Sequence, residues 1–252
     1  MGNDDYTERS SREAVDDALT NKAGARARKK AALALGDAMI ETGEILWHAG
    51  YFVGPDRVIG DWPSEFGSNS VVGISTALQI GGELIESSAR LLEAEKRYAA
   101  MALIRQVVEV EYLGWAFAED ANRTAATWLH ADSEERRKLW QPRHLRDSSS
   151  GLFRGSDYAL HCERGGHPTP EARRFLPGHS DVIDEGFIWY EICVHGGSAW
   201  DYFMTALDRQ PSSTPFQDHI ESLKSFSTFR KAWENWQADD MLIDLVGTDP
   251  MT

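Results

Sequence analysis

The chain has 252 residues, 42% of them apolar and 26% charged, which is typical of a globular protein that buries a full core and excludes wholesale disorder. A formal net charge of -14 argues against extensive contact with nucleic acid or with an anionic membrane. Two cysteines are too few for a disulfide framework, no stretch reaches the roughly 18 apolar residues of a membrane span, and residues 1–9 lack the features of a signal peptide, so we expect a bacterial, cytoplasmic protein.

Helical periodicity dominates the chain and predicts an all-α fold. Ser10, with Glu13 three residues later, is typical of a capping box that opens a first long helix. The apolar stripe becomes regular only after Lys30, so residues 1–30 are predicted to form a solvated, mobile helical arm. A second long helix is predicted over 71–118, where Gly81-Gly82 is a point at which it would bend or divide.

The remaining predicted elements are short helices over 121–130 and 133–140, a loop-rich basic insertion over 141–180, two long helices over 180–209 and 214–237, and a frayed tail from Asp239. The insertion prediction rests on four prolines and five glycines within forty residues. Four long helices with one ordered insertion predict a single helical-bundle domain.

The charge is unevenly distributed. Nine basic and four acidic residues lie between Arg136 and Arg174, so this segment is basic within an acidic chain. His144, His161 and His167 lie in the same segment. The net charge therefore restricts an anionic ligand to a small site but does not exclude one.

A polar line interrupts the predicted second helix. The segment Met101–Phe117 is apolar on nearly every side, which predicts a helix buried all round. Arg105 and Glu109 are four residues apart on one face, and Tyr112 extends that face by one turn. A buried pair of this kind costs stability, so it indicates either a functional site or a structural pair that caps loop backbone; both stay open.

A second polar cluster lies in the segment Tyr158–Pro170. His161, Glu163 and His167 supply the imidazole and carboxylate groups used in acid–base catalysis near neutral pH. Gly165-Gly166 would let the backbone turn sharply and approach a ligand. The alternative is that these histidines bond to loop carbonyls and hold the insertion in place.

Carboxylate and imidazole groups four residues apart suggest a metal site as an alternative interpretation. The spacing occurs at Glu44/His48, Glu163/His167 and Glu191/His195. The first and last of these pairs are predicted on different long helices, and such pairs facing one another in a bundle bind iron or manganese.

The block Leu103–Leu113 and the later pattern Tyr-x-x-His-Cys-Glu-x-Gly-Gly-His-Pro-Thr-Pro, which begins at Tyr158, are the most distinctive parts of the sequence. Together they resemble a group of uncharacterised actinobacterial helical proteins that look like distant relatives of the HEPN-type helical bundles. The resemblance covers roughly Met101 to Pro170.

The resemblance implies a bundle of four or five helices, of a type that often dimerises. It also implies a polar centre where Arg105 and Glu109 meet the segment from His161 to His167. Many HEPN-type proteins are metal-independent ribonucleases whose active site pairs an arginine with a histidine. Here Arg154 and His161 have an allowed spacing, but a glycine follows the arginine where the family usually has a polar residue.

Our leading hypothesis is a HEPN-like nuclease, or a nucleotide- or RNA-binding protein, of a bacterial defence or toxin system, with no metal and no cofactor. The predicted roles are general acid–base for His161 or His167, anion binding for Arg105, orientation for Glu109, and ligand contact for Tyr112, Tyr158, Glu163 and Arg164. The predicted partners are a small anionic ligand or RNA and a second copy of the chain, with no membrane. Two alternatives stay open: a non-enzymatic interaction protein in which the same residues are structural, and a metal-dependent bundle oxidoreductase.

Overall fold

The computed structural model describes residues 3–51, 58–59, 62–63, 68–179, 182–210 and 214–246. In chain order its helices are α1 (Asn3–Thr20), α2 (Lys22–Gly50), α3 (Asn69–Glu93), α4 (Arg97–Glu119), α5 (Ala125–His130), α6 (Ser133–Leu139), α7 (Pro142–Ser148), α8 (Gly155–His161), α9 (Val182–Asp208), α10 (Thr214–Glu221), α11 (Lys224–Asp239) and α12 (Met241–Val246). Between α8 and α9 lie a π-helical turn (Cys162–Gly166) and a 3₁₀ helix (Pro170–Phe175). The strands β1 (Val58–Ile59) and β2 (Trp62–Pro63) pair antiparallel. The predicted all-α class is confirmed.

The four long helices of the prediction are shorter and more numerous in the structure. Asn21 separates α1 from α2 because its side chain caps α2, accepting hydrogen bonds from the backbone N–H groups of Ala23 and Gly24 at 2.9 and 3.1 Å. Glu95, between α3 and α4, has a φ of 58°, a left-handed conformation that ends a helix. The predicted fourth helix is also divided, into α10 and α11. The detail of four long helices is therefore not confirmed.

The Gly81-Gly82 pair does not divide the predicted second helix, since both glycines lie inside α3. A Cβ atom at Gly82 would lie 2.9 Å from the carbonyl oxygen of Gly36. Glycine therefore lets α3 pack closely along α2.

The core lies between α2, α3, α4 and α9, with α4 packed along α9. Its fully buried side chains include Leu35, Met39, Leu78, Ile85, Val107 and Ile192. None of the described helices combines the length and the apolar character that crossing a membrane requires.

The predicted arm and the predicted tail bind each other. Arg28 was expected to be solvated with the other basic residues of the arm, but its side chain is 0% exposed. Its guanidinium donates to the Asp240 carboxylate at 2.8 Å and to the carbonyl of Leu19 at 2.7 Å. The same carboxylate accepts from Nε1 of Trp236 at 2.8 Å. The prediction that Arg28 is solvated is wrong, because the buried carboxylate of Asp240 pairs with its charge.

The predicted frayed tail begins as ordered helix. Residues 241–246 form α12, and Leu242 is buried against the core. The part of the predicted tail beyond residue 246 lies outside the described residues.

The insertion over 141–180 contains more regular structure than its prolines and glycines predict. It holds α7, α8, the π-helical turn and the 3₁₀ helix, and Phe153 and Phe175 anchor it in the core. A Cβ atom at Gly165 would lie 2.4 Å from the backbone carbon of Met101. The π-helical turn therefore rests directly on the backbone of α4, and α8 is held beside α4 and α9.

Candidate metal centre

Three helices bring two carboxylate–imidazole pairs and a further glutamate together inside the bundle. Glu191 and His195 lie one turn apart on α9, and Asp157 and His161 lie one turn apart on α8. Glu111 comes from α4. Both histidines and both glutamates are buried, and Asp157 is half-buried.

The imidazole nitrogens converge on carboxylate oxygens. Nε2 of His161 lies 3.2 Å from Oε2 of Glu191 and 3.6 Å from Oδ1 of Asp157. Nε2 of His195 lies 3.4 Å from the same Oε2 of Glu191. Asp157, His161 and His195 each offer one ligand atom, and these atoms all lie within 4.8 Å of one another.

These contacts do not have hydrogen-bond geometry. Neither ring nitrogen of His161 has a hydrogen-bond partner within the described part of the chain, and neither has Oε2 of Glu191. The His161 side chain is 0% exposed, and a buried polar atom in this state is usually satisfied by a bound ion or water, or has a functional role.

The separations match those of ligands around a metal ion. Nitrogen and oxygen ligands about 2.1 Å from a tetrahedral ion lie about 3.4 Å from one another. The three measured contacts of 3.2, 3.4 and 3.6 Å bracket that value. Two of these contacts join Glu191 to His161 and His195, and the third joins His161 to Asp157. The two imidazoles and the two carboxylates are therefore candidate ligands for a single divalent transition metal.

Glu111 orients His195. Its Oε2 lies 2.7 Å from Nδ1 of His195, which is the hydrogen-bond distance, and both side chains are buried. A proton on Nδ1 leaves the lone pair on Nε2, the atom that faces Glu191. Metal-bound histidines usually donate their other ring N–H to a carboxylate in this way.

The cluster also perturbs the pKa values of its members. Burial raises the pKa of Glu111, although His195 opposes the shift. Burial acts to lower the pKa of His195, but Glu111 and then Glu191 outweigh it and raise that pKa well above its ordinary value. Without a metal, a protonated His195 therefore compensates the buried carboxylates; a bound divalent cation would compensate them instead.

Asp157 marks the open side of the cluster. Its side chain is 24% exposed, whereas that of His161 is 0% exposed. Burial acts to raise the pKa of Asp157, but the facing His161 and His195 hold it below its ordinary value. An ionised carboxylate thus lies at the partly exposed edge of the cluster, next to the buried nitrogens of His161.

The predicted Arg105/Glu109 pair forms a separate, half-exposed site. Nη2 of Arg105 lies 2.8 Å from Oε1 of Glu109, and each side chain is 29% exposed. Tyr158 links them, since its hydroxyl accepts from Arg105 and donates to Glu109, both at 2.9 Å. The expectation of complete burial is wrong for this pair; the fully buried acid on α4 is Glu111.

Tyr158 and Arg105 each affect the pKa of the other. Burial raises the pKa of Tyr158, and Glu109 adds to the increase while Arg105 opposes it. Burial acts to lower the pKa of Arg105, but the hydrogen bond to Tyr158 and the charge of Glu109 raise it. The guanidinium of Arg146 also faces the Tyr158 ring, 5.5 Å from its centroid.

The remaining predicted site residues do not all lie in the buried cluster or at the Arg105/Glu109 pair. His161 belongs to the buried cluster, whereas His167 and Glu163 are exposed. The structure therefore does not join the four predicted catalytic residues in one constellation. Tyr112 is buried, with its ring 4.1 Å from that of Phe153, and burial raises its pKa.

Two predicted pairings have no counterpart in the cluster. Glu44 and His48 are both exposed on α2, so they do not form the second half of a metal site with Glu191/His195. Arg154 is the exposed N-cap residue of α8, whereas His161 ends that helix as a buried side chain.

The sequence reasoning missed Asp157 and Glu111. Counting aspartate as well as glutamate at the four-residue spacing would have added Asp157/His161 to the candidate pairs. Glu111 stood out only as an interruption of an apolar segment, and nothing in its spacing pointed to His195.

Comparisons with family models, with curated proteins and with solved structures find no match to this chain.

Proposed function

We propose that the protein is a metal-dependent enzyme, with one divalent transition-metal ion bound by His161, His195 and Glu191. The observation that carries the proposal is the approach of Oε2 of Glu191 to Nε2 of His161 at 3.2 Å and to Nε2 of His195 at 3.4 Å, with all three residues buried. Two imidazoles and a carboxylate are the ligands of many mononuclear zinc and iron enzymes.

A purely structural role accounts less well for the same atoms. A buried polar atom without a hydrogen bond costs about 1–3 kcal/mol, and His161 alone has two such nitrogens. Apolar residues of similar size would fill this space without that cost. A bound metal satisfies the side of His161 that faces Glu191 and Asp157.

Each residue of the cluster has a distinct role in this proposal. Glu111 fixes the tautomer and the orientation of His195, and it increases the basicity of that ligand. Asp157, at the open side, is placed to hydrogen-bond a water molecule or a substrate group next to the ion. The ion would supply Lewis-acid or redox chemistry there. Burial of the other ligands restricts the substrate to a small molecule or to a group that reaches the open side.

The test is metal analysis of the full chain purified without a histidine tag, followed by titration of the metal-free protein with Zn²⁺, Mn²⁺ and Fe²⁺ under anaerobic conditions. We expect about one ion per chain for the metal that the site binds most tightly. At a free-ion concentration about 100 times Kd, binding should stabilise the fold by about 2.7 kcal/mol, which a melting curve detects.

The matched variants are His195→Gln in the cluster and His48→Gln in the exposed pair on α2. His195→Gln should abolish stoichiometric binding, and His48→Gln should leave it unchanged. Less than about 0.1 ion per chain after titration, together with unaltered melting, would overturn the proposal. Equal metal binding by the two variants would also overturn it.

A further inference from the structure

We propose that Arg164 binds the anionic group of the ligand that approaches the metal centre, so that the substrate carries a carboxylate or a phosphate. The inference rests on the proposed function, because it assigns the substrate class of the same site. Its basis is the position of Arg164 in a row of side chains along α9.

One face of α9 carries four residues spaced by three, four and four positions: Asp184, Phe187, Glu191 and His195. Each has a side-chain partner from another element. Asp184 pairs with Arg174 of the 3₁₀ helix, and Glu191 faces His161. Phe187 lies under the guanidinium of Arg164, which is 4.7 Å from the ring centroid.

Among the cations packed on this face of α9, Arg164 has unused hydrogen-bond donors. It is half-buried, and within the described ranges its guanidinium makes no hydrogen bond and no ion pair. Arg174, by contrast, is engaged by Asp184. A guanidinium stacked on an aromatic ring with its N–H edges unused is suited to bidentate recognition of a carboxylate or a phosphate.

The spacing to the metal centre suits one bridging oxyanion. Phe187 and Glu191 are one turn apart, or about 6 Å along the helix axis. An oxyanion that contacts a metal through one oxygen and a guanidinium through another holds them about 5–7 Å apart. A small carboxylate or phosphate is therefore of a size that spans one turn of α9, from Phe187 under the Arg164 guanidinium to Glu191 at the proposed ion.

The glycines of the π-helical turn hold Arg164 in this position. Gly165 rests on the Met101 backbone, and a Cβ atom at Gly166 would lie 2.6 Å from Cδ of Arg105. The two glycines therefore let the turn lie close against α4, with the preceding residue, Arg164, over Phe187 of α9. The Gly165-Gly166 pair thus positions the backbone of the turn that carries Arg164.

The electrostatic surroundings of Arg164 agree with an anion site. Burial lowers the pKa of Arg164, and the nearby charge of Arg174 lowers it further, while Glu191, Asp184 and Asp157 oppose the shift. The guanidinium is therefore poorly solvated and close to another cation. An arriving oxyanion would relieve both penalties.

The experiment uses the full chain loaded with Co²⁺, whose visible absorption reports changes in metal coordination. Inorganic phosphate and acetate are titrated separately, and the affinity of each is measured for the unaltered chain, Arg164→Gln, Arg164→Lys and Arg173→Gln. Arg173 is exposed and matches the charge change. Circular dichroism verifies that each variant is folded.

We expect saturable spectral shifts, with Arg164→Gln weakening the affinity for the preferred anion at least about tenfold, because a hydrogen-bonded charge is lost. Arg164→Lys should keep part of the affinity, and Arg173→Gln all of it within about twofold. Stronger binding of phosphate than of acetate assigns a phosphate ligand, and the reverse order assigns a carboxylate. If Co²⁺ binds but neither anion shifts the spectrum, or if Arg164→Gln and Arg173→Gln behave alike, the anion inference falls and the metal site stands. If no Co²⁺ binds, both fall.

Discussion

Replacing Glu111 with glutamine tests whether the cluster is built as a metal site. The Glu111 carboxylate contacts no predicted ligand atom of the ion directly; it holds Nδ1 of His195 at 2.7 Å. Glutamine keeps the shape and an acceptor oxygen but loses the charge, and a charge-assisted hydrogen bond is roughly twice as strong as a neutral one. Removing such a supporting group typically weakens metal affinity about 10–100-fold, which corresponds to about 1.4–2.8 kcal/mol.

The control for Glu111→Gln is Glu109→Gln, two residues away on α4. Glu109 contacts Arg105 and Tyr158, so its loss should leave metal affinity unchanged. The assay is competition for Zn²⁺ with a chromophoric chelator, with melting curves to show that both variants fold. Equal affinities for the two variants would refute the assignment of Glu111 as the group that orients a metal ligand.

Two further predictions concern the bundle outside the site. Asp240→Asn should lower the free energy of unfolding in urea by about 3–5 kcal/mol, because it leaves the charge of Arg28 buried without a counter-ion. The control, Asp239→Asn at an exposed position, should change the free energy of unfolding by less than about 0.5 kcal/mol. Similar values for the two variants would contradict the buried pair. Cys193 is buried and burial raises its pKa, while Cys162 is half-buried. A thiol reagent should therefore modify Cys162 in the native protein and Cys193 only after unfolding. Rapid modification of both thiols in the native protein would contradict this packing.

The helical class was predictable because its signals are local. Apolar periodicity and N-cap residues depend on neighbours within a few positions, and they predicted most helical segments. The break at Asn21 was missed because the apolar stripe is irregular before Lys30. The break at Glu95 was missed because the seven-residue step from Leu92 to Ala99 is compatible with a continuous helix. The burial of Arg28 depends on Asp240, which lies at the opposite end of the sequence, so its charge alone suggested a solvated arm.

The candidate site was partly predictable for the same reason. The i to i+4 pair Glu191/His195 and the side chain of His161 could be named from the sequence, and they do meet. Their meeting depends on how the insertion docks on α4 and α9, which no local pattern specifies. The predicted centre was therefore placed at Arg105 and Glu109, next to the cluster that the structure forms.

The resemblance to HEPN-type bundles stays a prediction, and so does RNA or a nucleotide as the ligand. The Arg164 experiment bears on the ligand, since a preference for phosphate over acetate would favour a nucleotide-like substrate. The homodimer likewise stays a prediction.

The central claim is that His161, His195 and Glu191 bind one metal ion, and anomalous diffraction from crystals of the Zn²⁺-loaded protein at the zinc edge tests it most directly. The account predicts one strong peak per chain, within about 2.3 Å of Nε2 of His161, Nε2 of His195 and Oε2 of Glu191. A peak confined to exposed side chains, or a cluster without a peak in crystals soaked with Zn²⁺, would contradict it.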